Sequence, residues 1–125
     1  MGPNEISFQW TNQGGHLSTM IQNIFNQNLF CDVTLVCDDQ TQIQAHKLVL
    51  AASSQVLENI LLNNPHPHPL LYMRGIQSKE MQNILKFVYF GEVALLQDHV
   101  DALLDVATEL QIKELRQECT RGRQN

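Results

Sequence analysis

The sequence predicts a single α/β domain in which helices predominate and the strands are short. The chain has 125 residues, which is the size of one ordinary domain. Hydrophobic residues make up 43% and charged residues 17% of the chain, which is a globular composition. Short segments rich in β-forming residues alternate with segments whose apolar residues recur at helical spacing, without an internal repeat or a linker.

The N-terminal segment predicts an isolated strand followed by a helix. In "ISFQW", Ile6, Phe8 and Trp10 alternate with polar residues, which is typical of a strand with one buried face. "NQGG" ends this strand, and a helical stripe then continues until "NQN". The stripe consists of Leu17, Met20, Ile21, Ile24 and Phe25. Because no hairpin partner follows the strand, another segment must cover its apolar face.

The middle of the chain predicts a hairpin, two short helices and a further strand. "CDVTLVC" and "IQAH" are rich in β-formers and flank the turn residues "DDQTQ", so residues 31–46 are predicted to form the hairpin. Residues 47–63 follow a helical pattern in two pieces, the second capped by Ser53 or Ser54. Because proline lacks an amide donor, "NNPHPHP" ends this helix, and "LLYM" predicts a third short strand.

The C-terminal part of the chain predicts helices on both sides of another extended segment. Ser78 can cap a helix that ends at Gly91, and "EVALL" is extended after it. The buried stripe of this helix is Met81, Ile84, Leu85 and Val88. Asp98 can cap the next helix, and Ile112 and Leu115 begin a last one.

Charge and cysteine content restrict the partners and the compartment. The formal net charge is −5, and the clustered cations Arg116, Arg121 and Arg123 lie near the C-terminus, so we expect no direct contact with nucleic acid. The three cysteines are an odd number, and no secretory leader precedes them. No apolar stretch approaches the roughly 20 residues that cross a bilayer. We expect a reducing, intracellular compartment and no contact with a membrane.

No residue pattern predicts catalysis or a cofactor. His46 is a candidate general base, but a histidine where a strand meets a helix is more often half-buried and hydrogen-bonded to the backbone. The sequence contains no glycine-rich phosphate loop, no GxSxG and no HExxH. We therefore expect a protein that is not an enzyme and that binds no cofactor.

Two residue pairs are candidates for a metal site. Cys31 and Cys37 lie about 20 Å apart in the predicted strand, at ~3.3 Å per residue, so they cannot share an ion. His66 and His68 in "HPHP" could bind zinc, but a site needs three or four ligands and no others lie nearby in the sequence. We expect a proline-stiffened surface loop and no metal.

Charged residues provide one candidate pair and one candidate helix face. Asp32 begins a predicted strand and Lys47 begins the following helix, so the fold could pair their charges in a partly buried pocket. The alternative is that Asp32 and Lys47 are two unrelated surface charges. Four acidic residues further on follow helical spacing, which favours a solvated outer face. They are Asp98, Asp101, Asp105 and Glu109.

Three segments resemble the successive signatures of a BTB/POZ domain, from about Ile6 to Leu115. They are "CDVTLVCDDQTQIQAHKLVLAASS", "MRGIQSKEMQNILKFVYFGEV" and "ALLDVATELQIKEL". "ISFQWTNQGGHL" is similar to the N-terminal signature of the Tramtrack and Bric-à-brac group, with Trp10 and Asn12 at the matching positions. The resemblance implies a short three-stranded sheet flanked by a cluster of helices. It implies a domain over residues 6–116, between a flexible N-terminus (1–5) and a tail (117–125) that leads to the rest of a longer protein.

The resemblance also implies roles for individual residues. The histidine matching His46 is a core residue at the strand-to-helix turn, and the residues matching Asp32 and Lys47 form a charged pocket near a dimer interface. The first strand typically crosses to the partner subunit and pairs there with the segment matching "EVALL". The implied dimer interface comprises Ile6, Phe8, Trp10, Leu17, Met20, Ile21, Ile24, Val93 and Leu95.

The implied function is obligate homodimerisation, extending to higher-order oligomers, in a nuclear transcription or chromatin regulator. Its DNA-binding part would lie outside these residues, and other BTB proteins or co-regulators are further candidate partners. The chain has Gln55, Val56 and Leu57 where family members commonly carry a proline and aromatic residues, which predicts a smaller, more aliphatic cluster.

The alternative function within the same resemblance is a substrate adaptor that recruits a cullin ubiquitin ligase. Adaptors of this class tend to carry a hydrophobic-x-glutamate motif after the third helix and a helical extension beyond the domain. The segment "LLNNPHPHP" contains no glutamate. We therefore favour the assembly module over the adaptor.

Overall fold

The structure, a computed structural model, describes residues 5–9 and 15–112, which contain short strands and α-helices. A single 3-10 turn, Gln97–His99, lies between the last strand and the last helix of this part of the chain. In chain order the elements are β1 (Glu5–Gln9), α1 (Gly15–Gln27), β2 (Val33–Cys37), β3 (Gln42–Ala45), α2 (Lys47–Ser53), α3 (Gln55–Leu62), β4 (Leu70–Met73), α4 (Ser78–Phe90), β5 (Glu92–Leu96) and α5 (Val100–Leu110).

The strands form two sheets. The larger has the order β3-β2-β4, with β2 antiparallel to β3 and parallel to β4. The smaller pairs β1 with β5 in antiparallel register, from Glu5 opposite Leu96 to Gln9 opposite Glu92. The three-stranded sheet with its surrounding helices confirms the predicted fold class.

The core is built around β2 and α4. Val33, Leu35 and Cys37 on β2 are fully buried, as a central strand covered by helices should be. All four residues of the stripe predicted for α4 are buried, which confirms that prediction. The helix ends at Gly91, which adopts a left-handed φ of 84° that glycine accepts without steric cost.

Ser54 is the cap of α3, one of the two residues predicted for that role. Its hydroxyl accepts a hydrogen bond from the Leu57 amide at 3.0 Å and donates one to the Leu110 carbonyl at 2.5 Å. Since Ser54 is fully buried, this single hydroxyl ties the start of α3 to the end of α5. Leu57 packs into the core, while Gln55 stays exposed beside it.

Two predicted helix caps were wrong. Ser78 is the first helical residue of α4 and follows the cap residue Gln77. The Ser78 hydroxyl and amide both donate to the carboxylate of Asp39, at 2.7 and 3.3 Å, so a residue from the β2–β3 turn satisfies this helix start. Asp98 lies within the 3-10 turn, which places His99 at the N-cap position of α5.

The last predicted helix does not begin at Ile112. Gln111 has a left-handed φ of 52°, which ends α5 and turns the chain into an extended conformation. Ile112 then forms an isolated antiparallel bridge with Ser54 and is buried in the core. Leu115, the second residue of the predicted helix, lies outside the described residues.

Candidate interaction surface

His46 joins three parts of the fold at the turn between β3 and α2. Its backbone amide donates to the Tyr89 hydroxyl at 2.9 Å, and the same hydroxyl lies 2.8 Å from His46 Nδ1. The other ring nitrogen, Nε2, lies 2.5 Å from the Leu29 carbonyl, which can only accept. In the neutral ring Nε2 therefore carries the proton, and Nδ1 accepts from the Tyr89 hydroxyl. The half-buried His46 therefore holds the start of α2 against α4 and against the loop after α1.

Burial raises the pKa of two groups beside His46, Tyr89 and Cys31, and so favours their neutral forms. Desolvation raises the pKa of Tyr89, so its hydroxyl stays protonated and can donate to His46. Cys31, whose Sγ lies 3.8 Å from His46 Nε2, has a pKa raised by burial and by the neighbouring Asp32 charge. A thiol with a raised pKa is a poor nucleophile at neutral pH. The group is therefore arranged to support the fold and offers no activated nucleophile.

Asp32 and Lys47 are in contact, but their charges are not paired. The Asp32 carboxylate accepts from the backbone amide of Lys47 at 2.8 Å, while the Lys47 ammonium donates to the carbonyl of His66. In the single chain this contact is a helix cap, because the first amide of a helix lacks an intrahelical acceptor and recruits the carboxylate. The charged pocket near a dimer interface stays a prediction. Asp32 thus caps α2, whose own N-cap residue makes no side-chain cap bond.

An apolar groove of about 580 Å³ lies next to this cap, between α1, α2 and α4. Three of its side chains are largely exposed: Met20 by 59%, Phe30 by 82% and Leu48 by 82%. Its polar contributors are Asp32, His46 and Tyr89. The remaining lining residues are Ile21, Ile24, Val49, Ala52 and Val88. Large exposed apolar side chains gathered around one groove are typical of a protein interaction surface.

The groove contains part of the predicted dimer interface. Met20, Ile21 and Ile24 line it from α1, the last two half-buried. The side chain of Leu17, the other predicted α1 residue, lies outside the described part of the chain. Trp10 and Asn12 of the N-terminal signature also lie outside it.

The strand residues of the predicted interface are buried within the single chain. Phe8, Val93 and Leu95 are 1, 5 and 6% exposed, and Ile6 is half-buried. They face the core because β1 pairs with β5 of the same chain, with Phe8 opposite Val93 and Ile6 opposite Leu95. The two segments that the resemblance pairs are thus paired here, but within one chain rather than between two. Because β1 pairs with β5 of the same chain, the backbone hydrogen bonds between these two strands form without a second copy.

The other candidates do not assemble into a site. His66 and His68 are exposed, and His68 Nε2 bonds to the Thr34 hydroxyl at 2.9 Å. Cys31 precedes β2, which begins at Val33, instead of lying within the strand. In residues 5–9 and 15–112, no group of three or more histidine, cysteine or acidic side chains is placed to hold a metal ion. No helix in these ranges is both long and apolar enough to cross a membrane.

The acidic face predicted near the C-terminus is exposed along its whole length. All four residues of this face have exposed side chains. The hydrophobic stripe on the opposite side of α5 is buried. The face is therefore solvated, as its spacing indicated.

Sequence reasoning missed three residues of the groove region. Tyr89 was not singled out, because nothing in the sequence links it to His46, 43 positions earlier. Leu48 could have been noticed, since the apolar run Leu48, Val49, Leu50 is wider than one buried helix stripe. Phe30 has a left-handed φ of 60°, a conformation that no local pattern predicts for a phenylalanine.

Comparisons with known proteins agree with this fold. A sequence model of the BTB/POZ domain family matches residues 21–125. The chain is 34% identical over 111 residues to sex determination protein fruitless of Drosophila melanogaster, covering 89% of this chain and 12% of that protein. It is 31% identical over 115 residues to the tramtrack protein, alpha isoform, of the same organism, covering 92% of this chain and 14% of that protein. The chain thus spans roughly an eighth of the length of these two relatives.

A solved structure shows the same architecture. The structure of the BTB (Tramtrack and Bric a brac) domain of human gigaxonin superimposes with a TM-score of 0.74 at 25% sequence identity, covering 88% of this chain and 92% of that one. The family match covers most of the chain, and the relatives and this structure agree with it. The chain therefore belongs to the BTB/POZ domain family.

Proposed function

We propose that this domain is an obligate homodimerising module of a nuclear transcription or chromatin regulator. BTB/POZ domains are protein interaction modules, and relatives such as fruitless and tramtrack are regulators of the Tramtrack group. The DNA-binding part of the protein, in this proposal, lies outside these 125 residues. Pairing two such parts would raise their effective concentration at neighbouring DNA sites without new DNA contacts.

The observation that carries this proposal is the apolar groove between α1, α2 and α4. Its most exposed side chains, Met20, Phe30 and Leu48, are ones that a monomer would leave in water. In an isologous dimer, in which both copies use the same surface, face-to-face docking would cover these three side chains on each copy. The apolar stripe of α1 that the resemblance assigns to the dimer enters the same groove.

Exchange of β1 fits the same dimer. The pairing of β1 with β5 uses identical residues whether it forms within a chain or between two chains. A swap of this kind therefore adds no new contact between β1 and β5. For the whole protein, we propose that such dimers assemble further into higher-order oligomers.

The test is the mass of the domain in solution, by light scattering coupled to size exclusion. We expect the wild-type chain near twice 14.3 kDa. Leu48→Lys places a charge in the groove at an exposed position and should shift the mass toward that of one chain. Leu62→Lys is the matched control, because Leu62 is 72% exposed on α3 and does not line the groove.

Two results would overturn the proposal. One is a wild-type chain that stays monomeric at micromolar concentration. The other is a dimer that Leu48→Lys and Leu62→Lys leave equally intact. A further variant without residues 1–11 tests strand exchange, since it should lose dimer stability if β1 crosses between copies.

The second candidate function is that of a substrate adaptor for a cullin ubiquitin ligase. It is favoured by the BTB/POZ fold, which such adaptors share with this chain. The segment after α3, residues 63–69, carries no glutamate at the place where such adaptors tend to have one. A stoichiometric complex with a purified cullin would reverse the order of the two proposals.

A further inference from the structure

The strand β3 has one backbone edge that no other strand of the described chain covers. It is an edge strand of the sheet β3-β2-β4. The Cys37 amide of β2 donates to the Thr41 carbonyl at 2.9 Å, two positions before Ile43. In an antiparallel ladder the bonded pairs recur at every second residue, so Ile43 directs its amide and carbonyl toward β2. Gln42 and Gln44 therefore direct theirs away from the sheet.

A hollow of about 350 Å³ lies beside this open edge, between β3 and the helices α1 and α4. Its apolar lining consists of Phe25, Ile43 and Leu85. Four residues with exposed amide side chains and one lysine complete the lining: Asn28, Gln42, Gln44, Gln82 and Lys86. A strand added to β3 would place the residue opposite Ile43 on the same face as Ile43, because directly paired residues share a face. The side chain of that residue would enter the hollow, whose apolar lining favours an apolar side chain.

The charge of the hollow comes from Lys86, which lies toward the C-terminal end of β3. Near the start of β3, the Asp39 carboxylate accepts from Ser78 at the start of α4. Beyond its other end, His46 contacts Tyr89 near the end of α4, so β3 and α4 run in the same direction. Lys86 is exposed, and in residues 5–9 and 15–112 no hydrogen bond or ion pair engages its ammonium group. The hollow therefore offers an unpaired positive charge at one end.

We propose that the open edge of β3 binds an extended peptide segment of another protein, in which an acidic residue stands two positions before a large apolar residue. The peptide pairs antiparallel to β3, with the apolar residue opposite Ile43 and inside the hollow. Its two neighbours exchange hydrogen bonds with Gln42 and Gln44, which satisfies all four outward backbone groups. Since the peptide runs against β3, the residue two positions earlier lies at the C-terminal end of β3, on the same face and on the side of Lys86.

The hollow favours a peptide over the β3 strand of a second copy. In a two-fold pairing with the same hydrogen bonds, Ile43 of each copy would have to fill the hollow of the other, yet Ile43 is half-buried against its own core. The residue two positions before it is Thr41, which carries no negative charge. The α1 and α4 walls of both hollows would also meet on one side of the joined sheet, whereas a peptide brings no helices.

Two synthetic peptides of identical composition test the proposal. Acetyl-Thr-Glu-Thr-Leu-Thr-Thr-amide has glutamate two positions before leucine, and acetyl-Thr-Thr-Leu-Thr-Glu-Thr-amide has it two positions after. Each is titrated into the isotope-labelled protein by NMR to roughly 1 mM, because so small a contact lies at the weak end of the observed range. We expect the first peptide to shift the backbone amides of Gln42 and Gln44 and to bind more tightly than the second. Methylating the backbone nitrogens of the two threonines beside its leucine should abolish these shifts.

A charge reversal tests the role of Lys86. Lys86→Glu should raise the Kd of the first peptide roughly fivefold, which is the size of an exposed ion pair. The same variant should bind a peptide with lysine in place of glutamate more tightly than the wild-type protein does. Lys79→Glu is the matched control, because Lys79 is an exposed lysine of the same helix that does not line the hollow. Circular dichroism establishes that both variants remain folded.

Shifts at Gln42 and Gln44 together with the charge reversal support the inference. The inference is overturned if the first peptide causes no shifts there, if the reversed order binds as well or better, or if Lys86→Glu acts no more strongly than Lys79→Glu. Concentration-dependent shifts of the two amides without peptide would assign the edge to a second copy and overturn it too. The hollow shares no residue with the groove, so Leu48→Lys should leave peptide binding unchanged whether or not the proposed dimer forms.

Discussion

Tyr89→Phe should destabilise the fold although it removes a single oxygen atom. The Tyr89 hydroxyl accepts from the His46 amide and donates to His46 Nδ1, and the tyrosine side chain is fully buried. Its loss leaves the His46 amide without its acceptor, which costs about 1–3 kcal/mol, and removes a second hydrogen bond of about 1 kcal/mol. We therefore expect the free energy of unfolding to fall by about 2–4 kcal/mol.

Urea denaturation followed by circular dichroism measures this loss. Both proteins must be compared at one protomer concentration, because the stability of a dimer depends on it. Tyr72→Phe is the control: it also removes a tyrosine hydroxyl, but one that is bonded to Asp38 at the exposed edge. We expect this control to change stability by less than about 0.5 kcal/mol, as is usual for surface positions. A Tyr89→Phe value as small as that of the control would refute the role given to the His46–Tyr89 contact.

Three further predictions concern other parts of the fold. Asp32→Ala removes the cap on the Lys47 amide and should cost about 1 kcal/mol in urea denaturation, whereas Asp32→Asn, which can still accept, should cost less. Gly75→Ala should cost about 1–2 kcal/mol in thermal unfolding from its φ of 81° alone, since a Cβ there meets nothing within 4 Å; a neutral result would contradict this. Hydrogen bonds from Ser78 lower the pKa of Asp39, so this carboxylate stabilises the fold above its unfolded pKa and loses that effect as the pH falls through the folded value. Ser78→Ala should raise the Asp39 pKa in an NMR titration.

The sequence predicted the elements more reliably than their ends. The helical stripe of α4 and the short strand β4 follow from apolar spacing and from proline, which act locally. The caps at Ser78 and Asp98 were wrong because the group that satisfies a helix start can come from elsewhere in the chain. For α4 that group is the Asp39 carboxylate, 39 positions away from Ser78.

The candidate site was predictable only in part. Met20, Ile21 and Ile24 follow from the stripe of α1, and the contact between Asp32 and Lys47 follows from the resemblance. The form of that contact, a cap in place of an ion pair, depends on backbone geometry that the sequence does not contain. The exposure of Phe30 depends on a left-handed backbone in the loop after α1, which is likewise a property of the folded chain.

The most direct test of the proposed dimer is an isotope-filtered NOE experiment on a mixture of labelled and unlabelled chains. This experiment detects only protons that approach one another across two copies. The groove dimer predicts intermolecular NOEs from the methyl groups of Met20 and Leu48 and from the ring of Phe30, persisting at low concentration. Intermolecular NOEs confined to other surfaces, or their complete absence in a protein of single-chain mass, would contradict the proposal.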